Sequence, residues 1–278
     1  MKRLFHFILS HSIFIAFCAS ALSLQTLQLL SLPVNGYLLA FIFFATLCGY
    51  NIYWTVSRFS FGNNISLIPF LEKSRSALLV ILAAITGMVF CFSRLHLVMY
   101  NVVITFILLG MYALPLMPFK QLHFLRKAGF LKTVVLALAW TIVTILIPLQ
   151  ISIREMGHAA LLIFINRFLF MLMLCIIFDK RDAAIDKIRG LQSLATDIRP
   201  MLLHFFMLVI FIAYASVSFA MRSYNITNNQ VTALVVSGFV ALYVYYRSMQ
   251  KRGYIFYYFV VDGLMFFSAL LTGLASLN

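Results

Sequence analysis

Charge is scarce in this chain of 278 residues, of which 10% are Asp, Glu, Lys or Arg and 64% are hydrophobic. Soluble globular domains carry about 25% charged residues, so the composition excludes an ordinary water-soluble protein. A membrane-spanning helix needs about 20 mostly apolar residues, and 64% of 278, about 178, leaves room for roughly nine spans. The sequence therefore predicts an integral membrane protein with little chain left for a soluble domain.

Residues that bind transition metals or form redox motifs are few and scattered. The four cysteines are Cys18, Cys48, Cys91 and Cys175. Each lies inside an apolar run, and no two have the spacing of a zinc or redox motif. The six histidines are equally dispersed, without metal-ligand spacing. The cysteines are therefore expected to pack in the interior.

Long apolar runs bounded by proline, glycine or charge define nine predicted spans. They are Leu4 to Leu30, Val34 to Val56, Ala77 to Ser93, Leu95 to Pro115, Leu131 to Leu149, His158 to Phe178, Met201 to Met221, Gln230 to Arg247 and Tyr254 to Thr272. No low-complexity tract or short repeat divides them. Residues 1–278 are expected to form a single all-α domain of nine transmembrane helices.

The amino terminus, Met1 to Ala21, also resembles a cleavable secretory signal, with a basic start, an apolar stretch and small residues at its end. The apolar run continues to Leu30, which gives it the length of a full span. A retained first helix that doubles as an uncleaved targeting signal is the favoured interpretation.

Basic residues are concentrated on alternate connections. Of the 21 Lys and Arg residues, 17 fall on the amino-terminal segment and the connections after even-numbered spans, against three on the others, Arg94, Arg154 and Arg222. Cytoplasmic loops carry such an excess. We therefore predict a protein of the cytoplasmic (inner) membrane with its amino terminus inside and its carboxyl terminus outside. The same rule explains the net charge of +14 without a nucleic-acid partner.

Acidic residues are rarer still, yet three of the seven, Asp179, Asp182 and Asp186, lie within eight residues. Their i, i+3, i+7 spacing puts them on one face if the sixth span continues as a helix past Phe178. Such carboxylates repel one another unless a cation lies among them, and Mg2+ takes oxygen ligands while leaving positions for phosphate. The alternative is a solvated helix end where Asp alternates with Lys and Arg in weak ion pairs.

The chain around these acids reads Asp179-x-x-Asp182-x-x-x-Asp186-x-x-x-Gly190-x-x-Ser193-Leu194. This pattern resembles the second Asp-rich motif, D-x-x-D-x-x-x-D-x-x-x-G-x-x-T/S-L, of the UbiA superfamily of intramembrane prenyltransferases. Other similar features are Arg167, the stretch Tyr112 to Pro118, Lys120, Lys132 and Trp140. The span count and the inward-facing second and sixth loops also fit, so the resemblance covers most of the chain.

The resemblance implies a bundle of nine helices around a central cavity open to the cytoplasmic side. In that family, two Asp motifs face each other across the cavity and hold Mg2+ on an allylic diphosphate. The allyl group ionises, and an acceptor attacks it away from water. By this resemblance Asp179, Asp182 and Asp186 are metal ligands, and Asp182, Asp186 and Asn51 act in catalysis.

The first motif of the family, N-x-x-x-D-x-x-x-D, is incomplete here. Asn51 matches its asparagine, but Thr55 and Phe59 occupy both Asp positions, and no acid precedes Glu72. Half of the expected metal site is therefore missing.

Two outcomes follow from that loss. In one, a single metal cluster on Asp182 and Asp186 still supports diphosphate binding, with Asn51 and cations such as Arg58 and Lys120 replacing the second metal's charge. In the other, the site binds a lipid phosphate without ionising it. In the structural alternative, Arg58 and Lys120 only set the membrane orientation, and Asn51 is an amide that joins two spans.

Two ionisable residues lie within spans, where they are costly unless paired or hydrated. Arg167 precedes the second motif in the sixth span and is a candidate diphosphate-binding residue. Asp262 lies about half-way along the last span. The two either form a structural ion pair or face the cavity.

The function that these features predict is Mg2+-assisted transfer of a prenyl group from an isoprenoid diphosphate to an aromatic or lipid-precursor acceptor. The alternative is a non-catalytic UbiA-like membrane protein that binds an isoprenoid or lipid phosphate, or acts as a scaffold. The intact second motif favours the enzyme, and the vacant first motif favours the alternative. A transporter is disfavoured because few Gly or Pro residues interrupt the spans.

Overall fold

The computed structural model of the chain describes residues 2–60, 75–95, 97–113, 129–151, 153–188 and 193–277. Within these ranges the regular elements are helices, and no strand occurs. Lipid offers no hydrogen-bond partner to the backbone, so helices that satisfy their own N–H and C=O groups are the stable solution. The predicted all-α membrane class is confirmed.

The first predicted span is broken. Helices α1 (Lys2–Ser10) and α2 (Ile13–Leu29) meet at 63°. Between them Ser12 has a φ of 60°, and Ser10 donates a hydrogen bond from its hydroxyl to the carbonyl of Phe7. Serine side chains compete in this way with helical hydrogen bonds. The prediction of one continuous helix from Leu4 to Leu30 is therefore wrong.

The other predicted spans each coincide with a helix. The helices are α3 (Gly36–Ser60), α4 (Arg75–Phe92), α5 (Met99–Ala113), α6 (Gly129–Thr141), α7 (His158–Ile188), α8 (Leu194–Asp197), α9 (Pro200–Ala220), α10 (Asn228–Arg247) and α11 (Asp262–Ala275). A π-helical turn, Ile142–Leu146, extends α6 to Ile147–Leu149, and another, Phe256–Val261, precedes α11.

In the described ranges, seven helices are long and apolar enough to cross a membrane, or eight if α1 and α2 form one broken span. Helix α5 is apolar but shorter. The count of nine spans and the cytoplasmic opening of the cavity remain predictions.

Sequence signals at the helix ends account for several boundaries. Helix α10 begins with a capping box, in which Thr227 accepts from the N–H of Gln230 while the Gln230 side chain accepts from the N–H of Thr227. Helix α9 begins at Pro200, whose fixed φ suits the first turn and whose missing N–H is not needed there.

Helix α7 determines where the acidic residues lie. It has 31 residues and is therefore about 46 Å long, against a hydrocarbon core of about 30 Å. A helix of this length extends beyond the core, and the continuation past Phe178 that the acid spacing required is present. Asp182 and Asp186 therefore lie in the last turns of a long membrane helix.

All four cysteines are buried and unpaired, as expected for packing residues. They leave the accessible surface free for site-specific labelling. We therefore predict that, in sealed vesicles with the extracellular face outward, an impermeant maleimide labels Ser276→Cys but not Gln250→Cys. Both positions are exposed, and the charge distribution puts the first outside and the second inside. The reverse labelling pattern contradicts the orientation, and the unmodified protein serves as the unlabelled control.

Candidate functional site

Two consecutive residues of α6 contact two of the three acids of α7. The hydroxyl of Thr133 donates a hydrogen bond to Oδ2 of Asp179, which is buried. The neighbouring Lys132 lies with its Nζ 3.8 Å from Oδ2 of Asp186, which is also buried. Charges removed from water need such partners. The pairing of α6 with α7 therefore fixes the positions of the first and last acids of the motif.

The middle acid, Asp182, is the most accessible of the three and is held by its neighbour. Arg181 donates from Nε and Nη2 to the two Asp182 oxygens over 2.7 and 2.8 Å. The guanidinium also packs on three rings, with 4.8, 5.4 and 5.0 Å to the ring centres of Phe178, Tyr257 and Tyr258. We call these three residues the aromatic cage. Cation–π contacts of this kind strengthen as water is removed, so Arg181 joins α7 to the π-helical turn before α11.

The fit of this site to Mg2+ follows from the chemistry and spacing of its donors. In the part of the chain that the structure describes, no three His, Cys, Asp or Glu side chains are placed to hold a metal ion. Beside phosphates, however, Mg2+ is commonly held by only one or two carboxylates, with phosphate oxygens and water as the other ligands. Three carboxylates on one helix fit that arrangement, and they do not form a closed site made by protein alone.

Asn51 is buried and joins helices. Its Nδ2 donates to the carbonyls of Leu47 and His11, each over 2.8 Å, and so ties α3 to the break between α1 and α2. Thr55, at the first vacant Asp position, donates its hydroxyl back to the carbonyl of Asn51 over 2.7 Å. These contacts agree with the interpretation of Asn51 as an amide that joins spans.

Four further candidate positions of the motifs carry no structural assignment. Arg58 and Phe59 lie at the end of α3, and their side chains are outside the described part of the structure. Lys120 and Gly190 lie outside the described residues.

Arg167 lies in the interior of the bundle and bonds to α2. Its Nη2 donates to Oε1 of Gln25 over 2.6 Å and to the hydroxyl of Thr26 over 3.4 Å, and its Nη1 donates to the carbonyl of Leu22 over 3.2 Å. Gln25 in turn donates to Ser268 and Thr272 of α11. Arg167 therefore connects α7 through α2 to α11.

Asp262 is also buried, but the hydrogen bonds of Arg167 do not reach it. Among the described residues, its Oδ1 has no hydrogen-bond partner. The two intramembrane charges therefore belong to different surroundings and do not form the predicted structural pair.

Aromatic side chains connect the first-motif region to the acids. The rings of Tyr53 on α3 and Tyr112 on α5 are stacked with centres 5.4 Å apart, and Nζ of Lys132 lies 5.7 Å from the Tyr112 ring centre. Trp54 packs against Tyr258 of the aromatic cage with ring centres 6.4 Å apart. Aromatic groups from three helices thus lie around the cations that accompany the acids.

Two solved structures are similar to this chain over almost their whole lengths. A UbiA homolog from Aeropyrum pernix K1, solved in the apo form, matches with a TM-score of 0.61 and 13% identity over 96% of this chain and 97% of that one. A digeranylgeranylglyceryl phosphate synthase matches with a TM-score of 0.51 and 13% identity over 99% and 98%. The chain has the UbiA fold. No protein-family model and no curated protein sequence matches the chain.

The UbiA fold confirms the resemblance that the second Asp-rich motif predicts. Sequence reasoning identified the acids of α7 correctly as one helical group, but it assigned no role in the site to Arg181. It also left out Thr133, the hydroxyl partner of Asp179. Thr133 could have been found from the sequence, because it follows Lys132, which is among the similar features. The aromatic cage had no such signal, because Arg181 and Tyr258 are 77 positions apart in the sequence.

The contacts of Arg167 predict a role in stabilising the UbiA fold. In Gln25→Leu the buried guanidinium loses its shortest hydrogen bond, so we expect the free energy of unfolding to fall by about 2 kcal/mol. Gln28→Leu, a matched change on the same helix, should cost much less. Thermal unfolding in detergent, followed by size-exclusion chromatography, measures both. Equal stability of the two variants, with prenyl diphosphate binding lost only in Gln25→Leu, would instead assign Arg167 to the ligand.

Proposed function

We propose that this protein is a membrane prenyltransferase of the UbiA type. It transfers a prenyl group from an isoprenoid diphosphate to an aromatic or lipid-precursor acceptor. The observation that carries the proposal is the placement of Asp179, Asp182 and Asp186 in the last turns of α7, in a chain with the UbiA fold and seven acids in all. A cluster of three acids is costly near a membrane, and this concentration of a rare residue type supports a cation-binding role beyond the partners that the fold supplies.

One or two of these carboxylates would hold Mg2+, which would supply positive charge to the leaving diphosphate. The chain's own groups position the site. Thr133 holds Asp179 by a hydrogen bond, and Lys132 lies beside Asp186 as a fixed positive charge facing the diphosphate position. In the transfer, the bond between the allylic carbon and the diphosphate oxygen breaks, and the electron pair leaves with the diphosphate. The acceptor then bonds to that carbon and releases a proton.

In this proposal, cationic side chains replace the charge of the metal that the vacant first motif would otherwise bind. Thr55 and Phe59 supply no carboxylate, so a second metal has no ligands on α3 there. Arg58 and Lys120 remain the candidate residues for contacting the diphosphate, whereas Asn51 and Arg167 use their donors on other helices of the bundle. A guanidinium binds two phosphate oxygens at once and carries its charge at every physiological pH.

The surroundings of the site suit a lipid substrate. Tyr53, Trp54 and Tyr112 contribute rings near the acids, and the helices behind them are apolar. A long prenyl chain gains free energy by lying among such helices rather than in water. We place the diphosphate at the cytoplasmic face, where the basic connections lie, and the tail in the bilayer-embedded interior.

Calorimetric titration with geranylgeranyl diphosphate, with Mg2+ and with EDTA, tests this function. We expect Mg2+-dependent binding that falls at least about 100-fold in Asp182→Ala Asp186→Ala, because the metal loses its protein ligands. Asp197→Asn, which removes an exposed acid on α8, is the matched control and should bind normally.

Prenyl transfer to a panel of aromatic and lipid acceptors then follows with the same variants. Folded wild-type protein that binds no prenyl diphosphate of any chain length contradicts the proposal and favours a scaffold. Binding without transfer, unaffected by Mg2+ or by loss of the two acids, favours a lipid-phosphate binding protein.

A further inference from the structure

Arg181 has hydrogen-bonding capacity that its protein contacts do not use. A guanidinium has five N–H donors in a plane, and Nε and Nη2 of Arg181 are used on Asp182. In the part of the chain that the structure describes, Nη1 is buried and has no hydrogen-bond partner. Buried donors without acceptors are rare and costly, which points to a ligand that supplies the acceptor.

The orientation of this guanidinium is fixed before any ligand binds. Asp182 holds one edge through two parallel hydrogen bonds, and the aromatic cage of Phe178, Tyr257 and Tyr258 packs against the group. A side chain held in this way loses little further conformational freedom on binding. The second edge of the fork, which carries Nη1, is therefore held in a fixed orientation next to the edge bonded to Asp182.

The neighbouring charge does not occupy that edge. Oδ1 of Asp262 has no hydrogen-bond partner among the described residues, and the hydrogen bonds of Arg181 go to Asp182. Arg181 is thus bonded to one carboxylate through one edge, while Nη1 has no hydrogen-bond partner in the described part of the chain. A metal ion in a diphosphate site has the same kind of position, with a protein carboxylate on one side and phosphate oxygens on the other.

We propose that Arg181 takes the place of the metal ion that the incomplete first motif cannot hold, by bridging Asp182 to an oxygen of the bound diphosphate through Nη1. This inference rests on the proposed function, because it names a ligand of the same diphosphate. Arginine suits the role because its planar fork binds a carboxylate along one edge and a phosphate along another. Lys132, a point charge beside Asp186, cannot make such a bridge.

One consequence is a metal stoichiometry of one. If Arg181 supplies the second positive charge, the logarithm of the affinity for geranylgeranyl diphosphate rises with the logarithm of free Mg2+ with a slope near 1. A slope near 2 in the wild-type protein overturns the inference, since a second metal ion is then bound. This slope is measured from binding and does not depend on turnover.

Substitutions at Arg181 supply the second test. At saturating Mg2+, we expect Arg181→Gln to bind geranylgeranyl diphosphate about 10-fold to 100-fold more weakly, the loss of one charge-assisted contact. Arg181→Lys keeps the charge without the fork, so its affinity should fall between those of the wild type and Arg181→Gln. Lys180→Gln removes a positive charge one residue earlier on α7 and should stay within about twofold of wild type, since general electrostatics at this surface is screened.

The outcomes distinguish failure of the Arg181 bridge from failure of the proposed prenyltransferase function. Mg2+-dependent binding in the wild type, with unchanged affinity in Arg181→Gln and Arg181→Lys, overturns the bridge and leaves the prenyltransferase proposal intact. Absence of binding in the wild type overturns both. If Arg181→Gln fails to fold because the cage loses its cation, Arg181→Lys gives the answer: weaker diphosphate binding at equal thermal stability supports the bridge, and wild-type binding overturns it.

Discussion

The cost of holding charge in or beside a hydrocarbon layer governs the arrangement of this protein. Each of the three acids on α7 has a partner that the same fold supplies: a hydroxyl that donates to Asp179, a guanidinium that donates to Asp182 and an ammonium that forms an ion pair with Asp186. These partners come from α6 and from α7 itself, so the packing of two helices and the existence of the acidic cluster depend on each other. Arg167 follows the same rule deeper in the bundle, where Gln25 supplies its acceptor.

Patterns that are local along the chain could be predicted from the sequence. Apolar runs located the spans, and the i, i+3, i+7 acids required α7 to continue past Phe178, which it does. The break at Ser12 was not predictable from apolarity, because it depends on a left-handed backbone conformation within an otherwise continuous run. The aromatic cage and the Gln25 contact were not predictable either. Both depend on which faces of distant helices meet, and helical periodicity does not specify that.

The residues at the first-motif positions of α3 make packing contacts. The Asn51 amide donates hydrogen bonds to carbonyls of α3 and of the turn before α2, and the Thr55 hydroxyl donates to a carbonyl of its own helix. Both groups are thereby satisfied within the protein. A threonine here costs little in a membrane helix, whereas an aspartate would need a cation at the same depth. Without a pair of acids at these positions, α3 therefore lacks a set of metal ligands and also needs no cation to balance them.

Charge balance supports the proposal that a site with one Asp motif binds a diphosphate. When ionised, Asp179, Asp182 and Asp186 contribute −3, and Lys132 and Arg181 contribute +2, so the described cluster has a net charge of −1. One Mg2+ changes this to +1, and an anionic diphosphate is then attracted. Without the two cations, the same metal would leave the cluster at −1 and repel the substrate. Under the proposed function, these cations on α6 and α7 would make one divalent ion sufficient, and the vacant positions on α3 are compatible with that proposal.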